Sequence, residues 1–469
     1  MIHTPPTSQA ALTAALTALA VVLTGSLAGA QPLSMDAAID AALLRNLQDR
    51  QQLLRIDEAL ATSERSGARY LPQLQVEGNA VVWDDELTLS LGGASPALPA
   101  PQTPYEEAVA GLFSALSTPS TIRDQVTADL QVALVQPLVQ LYPIHLAHQL
   151  DETNVEVARL ERRALRQAIT LNTAVVWLQL QLTDQLIANA QLSLDTLDAQ
   201  TRRVEALVRA GAAVRADALR VKVARANSQS ELIRLGNARA MALAQLALLM
   251  DQDLGDALTL TPIDSTGAPP KPPVPLSEAI DQAHANRVQL DLFDLQRRRA
   301  GLGEDLARAE YLPEVALIGA YQHTQGQGLA NPNQFYAGVS LRWTAFEWGA
   351  TRHGVEVAQL RAQNVELARQ YRRQQIELEV RDAWLDLDTA RAAWAVADSS
   401  IAEAEEVYQN EQARLAQGAT TTVDLVASEA ALNSARNARS IAWTNAAIAT
   451  AQLRFAMGDT VRANTVLLR

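Results

Sequence analysis

The sequence predicts a mainly α-helical protein with a β-barrel portion, built from two copies of one unit in which two strands precede a long helical hairpin. The first observation is a duplication: the Tyr-Leu-Pro of Tyr70–Pro72 recurs 241 residues later (311 − 70) at Tyr311–Pro313, and Gly211 recurs 207 residues later (418 − 211) as Gly418. The second is that long stretches without Pro or Gly follow short segments with alternating polarity, which is the succession expected of strands and then helices. Each copy is therefore one structural unit packed beside its twin.

The two offsets differ because the first copy carries an insertion of 34 residues (241 − 207). It lies between Trp83 and Val126, in a segment rich in Pro, Ser and Ala. The sequence thus divides into a first repeat at 31–260, a Pro-rich linker at 261–275 and a second repeat at 276–469. A linker of this composition is expected to cross the outside of the helices.

Residues 1–30 contain no Lys, Arg, Asp or Glu, and their apolar run is too short to span a membrane. With the Ala28–Ala30 cleavage motif, they predict a secretory signal peptide. The alternative is an Ala-rich leader on a cytosolic protein. The chain has no Cys, which excludes disulfides, thiolate metal sites and a lipid-anchored N-terminal Cys, so a lipoprotein is not expected.

The composition excludes several functions. With a net charge of −13, the chain is not expected to carry the basic surface that nucleic-acid binding requires. No nucleophile elbow or Gly-rich phosphate loop is present, so neither catalysis nor a cofactor is predicted. His145 and His148 could share a metal, but no third ligand is evident and no metal site is predicted. No run of about 20 apolar residues follows Ala30, so no transmembrane helix is expected.

A short helix is expected to open each repeat, at Ser34–Ser66 and Ser277–Ala309. Ser34 and Ser277 are candidate N-caps, because a hydroxyl can accept from the free amides of the first turn. Each helix must end before the Pro of the Tyr-Leu-Pro motif, since Pro cannot continue it.

Four strands are expected, at about 71–83, 126–138, 313–323 and 335–345. Their apolar residues alternate with polar ones, which fits either a half-buried soluble strand or the wall of a membrane barrel. In a barrel, the polar residues would face the lumen: Gln73, Gln75, Glu77, Asp129, Gln131 and Glu314.

Four strands cannot close a barrel, since about eight is the usual minimum. Open strand edges are not viable in lipid, where each unpaired backbone group costs several kcal/mol. If this is a membrane barrel, several chains must share it.

Long helical hairpins make up most of the chain, at 146–250 and 355–457. Ala and Leu recur at three- and four-residue spacing, which is typical of helices packed as coiled coils. Gly211 and Gly418 interrupt the hairpins at matching places, where a left-handed residue can end a helix.

Acidic residues follow each interruption, at Asp217 and Asp424. One interpretation is N-capping of the restarting helix. The other is a carboxylate ring at a constriction, which would favour cations.

The Tyr-Leu-Pro strand starts, the two Gly–Asp turns and the closing segment Leu453–Asp459 resemble the TolC family of outer-membrane efflux proteins. The resemblance covers essentially all of Gln31–Asp459. It implies a homotrimer with four strands per protomer in a shared 12-stranded barrel, set in outer-membrane lipid of a Gram-negative-type bacterium. A periplasmic coiled-coil tunnel would continue the barrel.

The same resemblance implies a passive exit duct of a tripartite efflux or type I secretion system. A periplasmic adaptor (membrane fusion protein) and an inner-membrane pump would be its partners. The adaptor would dock at the turns of Gly211 and Gly418. Asp217, Asp424, Arg215 and Thr420 would form the periplasmic gate.

Two positions depart from the family pattern. Thr420 stands where well-studied members carry a basic residue, and Ala427 where they carry a second Asp. Arg209 and Arg215 flank the first turn and could supply the missing positive charge. The alternative function is an exported periplasmic coiled-coil adaptor or scaffold with no channel, which should show a Gly-rich β-domain within a single hairpin.

Overall fold

The computed structural model describes residues 32–89, 100–117, 119–253, 258–328 and 331–467. The predicted signal peptide lies outside these residues.

The chain divides into two compact units, each made of separate stretches. The helical unit contains Met1–Leu54, Leu160–Asp291 and Gln370–Arg469. The sheet unit contains Arg55–Arg159 and Leu292–Arg369.

The helices and strands follow one another in the same order in both repeats, apart from two elements in the insertion and a short helix, Ala463–Val466, that follows the second hairpin. In chain order they are α1 Met35–Arg45, α2 Leu47–Gly67, β1 Gln73–Val82, β2 Leu87–Leu89, α3 Pro104–Ser117, β3 Ser120–Pro137, α4 Leu141–Arg209, α5 Arg215–Met250, α6 Leu276–Asn286, α7 Val288–Ala309, β4 Glu314–Gln327, β5 Asn333–Arg342, α8 Ala350–Ala416 and α9 Thr422–Ala456.

Each predicted short helix is in fact two helices, broken at Asn46 and Arg287. Both break residues are buried, and each donates from its side chain to a carbonyl near the end of a hairpin helix. Asn46 Nδ2 lies 3.0 Å from Leu249 O, and Arg287 Nη1 lies 3.2 Å from Phe455 O. Neither Pro nor Gly marks these breaks, because contacts distant in sequence fix them.

The two candidate N-caps differ. Ser34 caps α1, accepting from Ala37 N at 3.2 Å. The prediction for Ser277 is wrong: α6 begins at Leu276, and Pro275 holds the cap position with no side-chain bond.

An antiparallel sheet forms in the order β1-β3-β4-β5, with β2 also paired to β3. The sheet therefore has five strands rather than the expected four, because the insertion contributes β2. The insertion also contains α3, which its Pro-, Ser- and Ala-rich composition does not predict. β3 begins six residues before its expected start, at Ser120, because β2 pairs with this added end.

The hairpin helices begin earlier than expected. α4 starts at Leu141, with Pro143 in its first turn, where a missing N–H leaves no bond unmade. α8 starts at Ala350, directly after Gly349, whose φ is +87°.

Two clusters of buried residues form the core of the helical unit. One joins α1 to α4, α5 and α9 around Trp177 and Leu246, and the other joins α6 to α8 and α9 around Leu387. Each repeat thus uses the first of its short helices to cover its own hairpin.

Within the described residues, α5 alone is long and apolar enough to cross a membrane by length and composition, although none was expected from the sequence. Such a lone helix is weak support for a membrane span. Only 17% of the qualifying stretch is buried, although Leu243, Leu246 and Met250 of the same helix lie in the core of the helical unit.

Candidate channel wall and tunnel turns

One face of the sheet is apolar and exposed. The register aligns Val76, Val132, Tyr321 and Phe335 across four strands, so these side chains share a face. The face continues through exposed aliphatic residues on all four strands: Leu74, Leu130, Leu134, Leu317, Val339 and Leu341. A continuous apolar surface of this kind marks contact with lipid or with another protein.

The opposite face is polar along the same strands. The register aligns Glu77, Gln131, Gln322 and Gln334 across it. Gln131 Nε2 donates to Tyr336 Oη at 2.8 Å.

All six residues expected to face a lumen lie on this polar face. Gln73 and Gln75 join Glu77 on β1, Asp129 joins Gln131 on β3, and Glu314 lies on β4. Glu314 forms an ion pair of 3.7 Å with Arg342 of β5. The sheet thus has an apolar face and a polar face, as the wall of a membrane barrel does.

The two outer strands of the sheet, β1 and β5, each have one edge that pairs with no strand in the described part of the chain. Their outward backbone groups could not remain unpaired in hydrocarbon. A membrane wall built from this sheet would therefore need further strands at both edges.

The two turns of the hairpins end their first helix in the same way. Gly211 and Gly418 have φ of +74° and +70°. Ala212 N donates to Leu207 O at 2.8 Å, and Ala419 N to Arg414 O at 2.9 Å. A Cβ on either glycine would meet nothing within 4 Å, so these turns require glycine for backbone conformation and not for space.

The two Asp residues cap the helices that restart after the turns. Asp217 Oδ2 accepts from Val214 N at 3.3 Å, and Asp424 Oδ2 accepts from Thr421 N at the same distance. Thr421 Oγ1 also donates to Asp424 at 2.7 Å. These bonds from Thr421, its hydroxyl first, hold the pKa of the Asp424 carboxyl below its usual value.

Thr420 belongs to a polar cluster at the second turn. Its hydroxyl lies 2.6 Å from Glu411 Oε2 and 3.2 Å from Asp424 Oδ2. Arg414 pairs with Glu411 at 2.8 Å and donates to Ala419 O at 3.2 Å. Arg414 therefore supplies the positive charge at this turn.

Sequence reasoning missed Arg414, although a basic residue in a last helical turn commonly bonds the free carbonyls. The sequence instead suggests Arg209 and Arg215 as the source of the positive charge. Arg215 is exposed and has no ion pair in the part of the protomer that the structure describes. Arg215 therefore forms no ion pair with Asp217 in the described protomer. Asp217 instead pairs with Arg220 at 3.4 Å.

His145 and His148, the two candidate metal ligands, join α4 to the end of α2 and to the turn that follows it, near the start of β1. His145 Nδ1 lies 3.0 Å from Tyr70 Oη, and His148 Nδ1 lies 3.0 Å from Ser66 Oγ. Over the described ranges, no three His, Cys, Asp or Glu side chains gather as metal ligands would.

Comparison with known proteins shows what the chain resembles. Residues 279–459 match the family described as outer membrane efflux protein. This part of the second repeat therefore carries the sequence signature of that family. No curated protein matches the chain significantly in sequence.

Solved structures of outer membrane and transmembrane channel proteins share the fold over nearly the whole length. CusC is 17% identical with a TM-score of 0.73, covering 93% of this chain and 96% of that one. The outer membrane protein VceC from Vibrio cholerae is 15% identical with a TM-score of 0.69, covering 91% and 96%. The open state of the MtrE outer membrane channel of Neisseria gonorrhoeae is 18% identical with a TM-score of 0.70, covering 92% and 90%.

These findings confirm the resemblance to the TolC family and the mainly helical fold with a small sheet. An outer membrane efflux protein is a passive transport conduit and not an enzyme. The alternative of a periplasmic scaffold without a channel receives no support.

Proposed function

We propose that three copies of this chain close one 12-stranded barrel in the outer membrane and continue it as a periplasmic coiled-coil tunnel. The duct passively conducts substrates that an inner-membrane pump delivers through a periplasmic adaptor, in efflux or in type I secretion. The observation that carries this proposal is the sheet of one protomer, with an apolar exposed face, a polar face and two unpaired edges.

The strand geometry supports a membrane wall. The ten residues of β1 extend about 33 Å. At a tilt of about 45° the strand spans about 23 Å, close to the apolar band of about 25 Å of outer-membrane barrels.

Edge pairing supports the trimer. β1, β3, β4 and β5 give four strands per copy, and three copies give twelve. β2 pairs only with the start of β3, beyond the part that pairs with β1, and so does not occupy the edge of β1. That edge is available to β5 of the next copy.

The helical unit offers a second contact between copies. An open groove of about 1030 Å³ runs between α8 and α9. Small side chains make up most of its walls, among them Ala393, Ala397, Ala431, Ala435 and Ala438. Such residues let a neighbouring helix approach closely, so a helix of the next copy is a fitting occupant.

The two turns are proposed to hold the gate and to dock the adaptor. Gly211 and Gly418 leave open space beside the turn, which suits the tip of a partner helix. Asp217 and Asp424, present three times each, would favour cations at the tunnel end, with Thr420 and Arg215 beside them.

Two experiments test the proposal. Purified protein in planar bilayers is expected to give uniform, cation-preferring conductance steps, and cross-linking is expected to give trimers. Asp217→Asn with Asp424→Asn should weaken the cation preference, whereas Asp253→Asn, outside the turns, should not. A soluble periplasmic monomer without conductance would overturn the duct.

Docking is tested separately with Gly418→Trp. Trimers and bilayer conductance are expected to persist, while export in cells and co-purification of the adaptor are lost. Loss of the trimer itself would assign this glycine to folding alone.

A further inference from the structure

A second open groove lies across three helices of the sheet unit. Its volume is about 380 Å³, which is within the usual size of small-molecule sites. Arg299 and Gly303 of α7 line it, as do Arg361 and Val365 of α8 and Leu150 of α4. Residues four apart share one face of a helix, so each of these two pairs belongs to a single helix face.

The three helices bring these residues to one level. Arg299 lies ten residues (309 − 299) before the end of α7, and Arg361 lies eleven (361 − 350) after the start of α8. Leu150 lies nine (150 − 141) after the start of α4. All three are therefore about 15 Å from the helix ends nearest the sheet. In the proposed duct, a phospholipid headgroup would not reach this level, because the headgroup layer is only about 6 Å thick.

Two guanidiniums line the groove without a counter-ion in the described part of the chain. Arg299 and Arg361 form no ion pair there, whereas Arg369, about two turns further along α8, pairs with Asp294 of α7 at 3.0 Å. A cleft lined by charges of one sign raises the local concentration of the opposite ion. Guanidiniums bind carboxylates and phosphates through paired hydrogen bonds. The groove therefore favours an anion.

The positive charge is not required by the repeated helix packing. The two offsets place Glu58 (299 − 241) and Asn154 (361 − 207) where the second repeat has Arg299 and Arg361. The first repeat forms the corresponding helices with a carboxylate and an amide at these positions. The two arginines are thus a property of this groove and not of the duplicated unit.

The rest of the groove offers an apolar surface. Leu150 and Val365 are half-buried, and Ala300 and Ala358 leave room between the helices. A bare inorganic anion would leave this surface in water. An anion with an apolar body would cover it, which is favourable because apolar surface is removed from water.

We infer that this groove binds small amphiphilic organic anions, of which an aromatic carboxylate is the simplest form. The carboxylate accepts hydrogen bonds from Arg299 and Arg361, and the apolar body lies against Leu150 and Val365. A passive duct needs no bound ligand, so the site goes beyond the proposed function.

Equilibrium dialysis with 1-naphthoate tests the site. The full-length protein is held in a nonionic detergent, with the same detergent on both sides of the membrane so that partition into micelles cancels. Saturable binding of one naphthoate per protomer is expected. Uncharged 1-naphthamide, which has the same ring, should bind about tenfold more weakly or worse, because it lacks the charge that the guanidiniums recognise.

Substitution of the arginines separates charge recognition from binding of the ring. Arg299→Gln and Arg361→Gln should each weaken naphthoate binding by about tenfold and leave naphthamide binding unchanged. Arg297→Gln is the matched control, because Arg297 is exposed on the same helix and does not line the groove. It should bind naphthoate as the wild type does.

Gly303 allows the groove to be blocked from within. It lies inside α7 without a positive φ, and a Cβ there would meet nothing within 4 Å. Gly301 shares both properties but does not line the groove. Gly303→Leu should therefore abolish naphthoate binding, whereas Gly301→Leu should leave it unchanged. Circular dichroism should show full helix content in both variants, since Leu is a better helix former than Gly.

Three results would overturn the site. They are equal binding of naphthoate and naphthamide, unchanged affinity in both arginine variants, and no saturable binding to the wild type. Displacement of naphthoate by phosphatidylglycerol added to the micelles would assign the groove to a lipid headgroup instead. None of these results alters conductance in planar bilayers, so the site can fail while the proposed duct stands.

Discussion

Both repeats break their short helix at the same place, but the buried charge at or just after the break has the opposite sign in each. In the first repeat a carboxylate is the buried group: Asp49 of α2 accepts two bonds of 2.9 Å from Arg162 and one of 3.1 Å from Arg166, both on α4. In the second repeat the buried group is a guanidinium: Arg287 pairs with Glu379 of α8 and donates to Phe455 O.

The surroundings also shift the two buried groups differently. Burial raises the pKa of Asp49, but the hydrogen bond and charge of Arg162, with those of Arg166, outweigh it and leave that pKa lowered. Burial lowers the pKa of Arg287, and Glu379 opposes this only in part. The comparison shows that the two repeats share the helix break but not the ion pair near it. A buried charge of either sign is tolerated there because an oppositely charged side chain pairs with it.

The largest effect is expected where a charge would be left buried. Glu379→Leu removes the counter-ion of Arg287, which is only 4% exposed. Leaving such a charge unpaired typically costs about 3–5 kcal/mol. Thermal melting of the trimer measures the loss. Glu377→Leu on the same helix breaks only an exposed pair with Arg381 and should change the melting temperature little.

The strand faces allow a matched test across the repeats. Val76 of β1 and Val339 of β5 are each 66% exposed on the apolar face. Arg at either position should cost about 2–4 kcal/mol near mid-bilayer, as the charge meets lipid. Membrane assembly on gels is the measurement. Gln75→Arg and Ser340→Arg, on the polar face, should assemble normally, and equal assembly of all four variants would argue against the barrel.

Acidification should weaken the buried ion pair of the first repeat. Asp49 has a lowered pKa in the fold, so its stabilisation is complete above the unfolded value of about 3.9 and is lost as the pH falls through the folded value. Melting of the wild type should therefore decline below about pH 4, and Asp49→Asn should flatten that decline. An unchanged slope in the variant would place the acid sensitivity in other carboxylates.

The smallest effect concerns the helix starts after the turns. Thr421 caps α9 with its hydroxyl, whereas Val214 offers α5 no side-chain acceptor. Val214→Thr should add about 1 kcal/mol of stability, and Thr421→Val should remove about as much. Hydrogen exchange of the first-turn amides reports both changes. Equal protection in wild type and variants would show that the Asp residues alone cap these helices.

The strand faces could be predicted from the sequence because alternation with period two directly assigns each side chain to a face. The two turns could be placed because a left-handed helix end requires glycine. The helix breaks at Asn46 and Arg287 could not be placed, because they depend on carbonyls some 170–200 residues away. Arg414 was missed although its contacts are local. The family pattern places the basic residue two positions after the glycine, where this chain has Thr420.

The two unpaired sheet edges make membrane insertion a collective event. A lone protomer shows an apolar face to water and bare amides to lipid, so neither the periplasm nor the bilayer is a good solvent for it. In the proposed trimer, three copies must meet before either surface is satisfied, and the rate of forming the duct should therefore rise steeply with protomer supply. Overproduction without matching assembly would leave edges that pair wrongly, and such chains would precipitate rather than insert.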